Sequence, residues 1–99
     1  MQEVALKERI KNLLVQAREA AQGSQPHWLL PHVIDVLEVM LNRLQNREDL
    51  LGAAGALGRI VTDDYTFSES PLGGKLLDLV TEIVSQYDPR FRQVSGKEQ

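Results

Sequence analysis

Cysteine is absent from the 99-residue chain, so it can form neither a disulfide framework nor a thiolate metal site. Basic residues are not in surplus: 11 Lys and Arg stand against 14 Asp and Glu, a formal charge of -3. Binding to phosphate backbones draws on an excess of cations, so a dedicated nucleic-acid binder is not expected. Long apolar runs are missing too. The most apolar stretch, Val33 to Leu41, is broken by Asp35 and Glu38 and falls far short of the roughly 20 residues that span a bilayer. The first residues, Met1-Gln2-Glu3-Val4, do not read as a basic start followed by an apolar stretch, so no secretory signal is expected. Together with the lack of cysteine this fits a reducing cytoplasm. Aromatic residues number only five, which makes the position of each informative.

Helical periodicity dominates what is present. Leu6, Ile10, Leu13, Leu14 and Ala17 recur at the spacing of one helical stripe, while Glu8, Lys11, Asn12, Arg18 and Glu19 take the other side. This predicts a helix over 2–21, with Gly23 as a left-handed stop. Pro31 cannot sit deep inside a helix. The segment Gln25 to Pro31 therefore reads as a turn, with Trp28 plugging one end of the core and a second helix over 31–44. That helix leaves only a narrow polar stripe of Asp35, Glu38, Asn42 and Gln45. Three neighbouring helices are needed to cover it, or else another subunit, which motivates an expected homodimer.

Asn46 followed by Glu48 and Asp49 reads as an N-cap with acidic first turn, opening a third helix to about Val61 on a stripe of Leu50, Ala54, Leu57 and Val61. Gly52, Gly55 and Gly58 recur within it. Each costs about 0.5–1 kcal/mol relative to Ala in a helix, and close approach of a neighbouring helix is the expected reason. Ser70 and Pro71 are the N-cap and first residue of a fourth helix ending at Asp88-Pro89, whose Gly73 and Gly74 weaken the first turn and permit tight packing there. The expected fold is all-α: a small antiparallel bundle of about four helices over residues 1–88, with a frayed polar tail over 89–99.

Motifs for chemistry are sparse. His27 and His32 lie five apart across Pro31 and match no zinc spacing, and Gly52 to Gly58 match no phosphate-loop pattern. No serine stands in a nucleophile-elbow context. Neither a metal nor another cofactor is implied. The suggestive feature is the segment Thr62 to Glu69, read as a loop holding Asp63, Asp64, Tyr65, Phe67 and Glu69. Its carboxylates lack the EF-hand pattern and suit the capping of local N–H groups. Alternation at 65 and 67 would set both rings on one side of an extended strand, either sealing the bundle or anchoring a partner. Arg90 and Arg92 around Phe91 are too few to support a nucleic-acid site. The expected function is a non-enzymatic protein-interaction module acting on a protein partner or on itself. A narrower alternative is an immunity-type inhibitor that offers the acidic loop to a basic active site. The least favoured is a small metal-dependent enzyme built on the 63–69 carboxylates.

Overall fold

The stripe of Leu6, Ile10, Leu13, Leu14 and Ala17 becomes the buried face of α1 (Gln2–Ala21), and the charged residues opposite are exposed. The structure is a computed structural model describing residues 2–87; the tail expected over 89–99, with Phe91, lies outside the described residues. Helix α1 closes with Gln22 and Gly23 N–H groups donating to the Glu19 and Ala20 carbonyls, three residues back. This tightened last turn satisfies the free carbonyls with no residue at positive φ, so the left-handed role expected of Gly23 is not used.

Helix α2 (Leu30–Asn42) takes Pro31 in its first turn, where the missing N–H costs nothing. Helix α3 (Arg47–Thr62) starts at Asn46, whose side chain accepts the Asp49 N–H at 3.0 Å. The segment read as a loop contains a further five-residue helix, α4 (Tyr65–Glu69), and α5 (Pro71–Tyr87) follows after a single residue. Among the described residues five helices thus stand where four were expected, the extra one being a single turn.

Neighbour relations form a ring: α1 packs on α2, α2 on α3, α3 on α5, and α5 back on α1, while α4 rests on α3 and α5. Arg9 of α1 pairs with Glu82 of α5, and Gln16 accepts from Lys75. Numbering therefore rises along α1 as it falls along α5, the antiparallel arrangement short connectors impose. The interior is one continuous cluster that includes Ile10, Val33, Leu37, Met40, Leu57 and Leu79. No helix among the described residues is long and apolar enough to cross a membrane.

Two expectations about packing are overturned. Trp28 does not plug the core: it is 58% exposed, and Leu29 and Leu30 fill that end instead. The smaller aliphatic pair reaches the interior because the turn at 28–29 aims both inward, leaving the indole outside. Nor do the α3 glycines admit a neighbouring helix. A Cβ at Gly52 or Gly55 would meet nothing within 4 Å, and one at Gly58 would make an ordinary contact with Val80. The close approach lies elsewhere, at Gly73, where a Cβ would sit 2.0 Å from the Phe67 carbonyl oxygen. Gly73→Ala is accordingly expected to destabilise the fold by about 1–3 kcal/mol through overpacking. Its neighbour Gly74 has open space, so Gly74→Ala should stabilise by about 0.5–1 kcal/mol; urea unfolding of the two variants measures the contrast.

Candidate functional site

The α4 turn exists because both of its ends are capped. Asp64 is extended (φ -129°, ψ 117°) and its carboxylate accepts the Phe67 N–H at 3.0 Å. At the other end the Ser70 N–H donates to the Phe67 carbonyl at 3.0 Å, and its hydroxyl both donates to that carbonyl and accepts the Gly73 N–H. Ser70 thus closes α4 and opens α5 in one residue. Such caps are what allow five residues to hold a helical turn that is too short to persist alone.

Helical geometry separates the two rings expected to lie together. Residues two apart on a helix point about 200° from one another. Phe67 enters the core at 5% exposure, whereas Tyr65 is 77% exposed. The five candidate residues divide accordingly. Asp64 and Phe67 build the turn, while Asp63, Tyr65 and Glu69 face solvent.

The α1–α2 connector completes this end of the bundle. His27 lies against Phe67, with ring centroids 4.9 Å apart, and stacks on Trp28 at 5.9 Å. Its Nδ1 accepts the Leu29 N–H at 3.1 Å, and Nε2 stands 3.4 Å from Asp64 Oδ2. With Nδ1 an acceptor, the neutral ring carries its proton on Nε2, directed at the carboxylate. Both nitrogens are engaged, so His27 has no lone pair free for a metal or a substrate proton. His32 lies beyond Trp28, edge-on to the indole at 6.5 Å. Among the described residues no three His, Asp or Glu side chains converge on one ion-sized position. A cleft of about 690 Å³ opens between α1, α4 and the start of α5, where Lys75 turns to Gln16.

Trp28 and His27 had no spacing signal in the sequence to join them to residues 63–69, since more than 30 positions intervene. The fold makes the connection through Asp64. Its carboxyl is held below the ordinary value of 3.8, chiefly by the Phe67 N–H. Partial burial pushes the other way, while His27, the Trp28 indole and the Thr66 N–H add to the lowering. No known protein family, curated protein or solved structure matches this chain.

A lowered carboxyl value means that the unfolded chain binds the proton more readily. The stability contributed by ionised Asp64 is complete above the ordinary value and is lost as pH falls through the folded one. Asp64→Ala should lower the melting temperature at neutral pH, because the cap is removed. Asp64→Asn should hold it near the wild-type value, because Asn caps equally well. Thermal melts below about pH 4 should then show a shallower acid loss for Asp64→Asn than for the wild type.

Proposed function

We propose that the protein is a non-enzymatic interaction module that grips a protein partner with the end of the bundle formed by α4 and the α1–α2 connector. The observation that carries this reading is the exposure of Tyr65 and Trp28 on either side of Asp64. Two of the chain's five aromatic residues are spent on solvent where Phe67, Leu29 and Leu30 already close the core. Large rings left mostly in solvent by the monomer are the residues most often found as energetic anchors of interfaces.

The surroundings favour a partner with a basic surface. Asp63 and Glu69 are exposed next to Tyr65, and the whole chain is acidic. Complementary charge raises association rates more than it raises final affinity. An immunity-type inhibitor, docking this end over a basic active site, is the narrower form of the same proposal. A small metal-dependent enzyme is the weakest reading, because Asp64 is committed to its cap and His27 to two hydrogen bonds. A reducing cytoplasm is the setting that a cysteine-free chain suits.

The test is a pull-down from host extract with the wild-type protein and with the Trp28→Ala/Tyr65→Ala variant. The melting temperature should stay within a few degrees of wild type, and a partner held by the wild type should be lost from the variant. A large fall in melting temperature would show that the rings belong to the core. Undiminished capture by a folded variant would move the interface elsewhere.

A further inference from the structure

His27 holds the α1–α2 connector through a bond that only its neutral form can make. Nδ1 accepts the Leu29 N–H at 3.1 Å, and the His27 carbonyl accepts the Leu30 N–H at 3.1 Å. One residue thus closes the turn that leads into α2. Leu29 is 2% exposed, and its N–H has no other acceptor among the described residues. Nε2 faces Asp64 Oδ2 at 3.4 Å, and the ring packs on Phe67 at 4.9 Å and on Trp28 at 5.9 Å.

A second proton can enter this ring only at Nδ1, because Nε2 already carries the first. The imidazolium then has two donors and no acceptor, so the Leu29 N–H meets another N–H. The new charge meanwhile strengthens the contact with Asp64, whose carboxyl is held below its ordinary value and stays ionised. Asp63 and Glu69, beside the same turn, are exposed to solvent. Glu19 of α1 and Lys75 of α5 share a cleft with His27 and carry opposite charges, and His32 of α2 lies beyond Trp28. The charge therefore draws the ring toward Asp64 and away from Leu29. A freed N–H that stays covered is costly, so the turn has to open far enough to hydrate it. Trp28 stands between the two residues concerned and moves with them.

We infer that His27 is a proton-operated latch on this connector: protonation exchanges the Leu29 N–H for a charged contact with Asp64 and changes how Trp28 is displayed. The latch stands on these contacts alone. Its use, holding a partner at neutral pH and releasing it in acid, rests on the interaction proposed for this end of the bundle.

Nuclear magnetic resonance of the full chain reads the latch with no partner present. Between about pH 8 and about pH 5, where imidazoles take up a proton, the His27 ring nitrogens and the Leu29 amide should shift with one midpoint. The protection factor of the Leu29 amide against hydrogen exchange should fall about tenfold or more over that interval, while amides inside α1 and α3 keep theirs. His27→Asn separates the bond from the titration. An asparagine side chain accepts the N–H two residues on and has no proton to take up, so Leu29 should stay protected at both ends of the range. His27→Ala should leave it unprotected at both, and His32→Gln should keep the wild-type transition. A Leu29 amide equally protected at both ends in the wild type overturns the latch, as does a transition that survives His27→Asn. Either result leaves the pull-down with Trp28→Ala/Tyr65→Ala untouched, so the latch and the interaction fail separately.

Discussion

The backbone contact between α4 and α5 governs this end of the molecule. The Phe67 carbonyl accepts from the Ser70 N–H and hydroxyl and lies where a Cβ at residue 73 would be. That contact fixes the α4 turn on the α5 N-terminus at a distance only glycine allows. Once the turn is seated, its period decides the rest. Phe67 must face inward and Tyr65 outward, and the Asp64 carboxylate must lie beneath the turn it caps. His27 and Trp28 are then recruited from a distant connector, because Phe67 and Asp64 supply the apolar surface and the acceptor that the imidazole meets. The exposed ring and its acidic surroundings follow from the packing of their neighbours.

The ring of helices explains why two kinds of surface remain. Each of α1, α2, α3 and α5 buries a stripe toward a common interior, yet α2 is apolar around most of its circumference. A four-membered ring covers two flanks of such a helix and leaves its back open. Ile34, Val36, Leu41 and Leu44 are half covered by their neighbours, whereas Val39 is not. Surface ion pairs such as Arg18–Glu38 and Arg43–Asp49 decorate the outside; pairs this exposed contribute little to stability, so the bundle rests on burial.

Much of the architecture could be read from residue patterns, and the failures are instructive. The long helices were legible because each shows several turns of periodic apolar residues and a chemically explicit start, such as Asn46 or the Ser70-Pro71 pair. The α4 turn was not, since five residues cannot display a period; only its capping residues, Asp64 and Ser70, mark it, and their partners are backbone groups. Reading 65 and 67 as extended then put both rings on one side, where a helix sets them apart. Trp28 reads as a plug for one end of the core, but the choice among Trp28, Leu29 and Leu30 depends on the turn before Pro31, which composition does not specify. The glycines read as costly in a helix, and among the described ones only Gly73 serves a close approach that a Cβ would forbid. The candidate site was half legible: its residues between 63 and 69 stood together in the sequence, while His27 and Trp28 join them only through the fold.

The interaction proposed for this end of the bundle rests on one physical premise, that Phe67 alone of the paired rings belongs to the core and that Tyr65 is free. The most direct measurement is the change in unfolding free energy for Phe67→Ala by urea titration. Removal of a buried phenyl ring is expected to cost about 3–5 kcal/mol. A cost below about 1 kcal/mol would contradict the account, for it would mean that the α4 turn is not seated and that nothing holds Tyr65 outward.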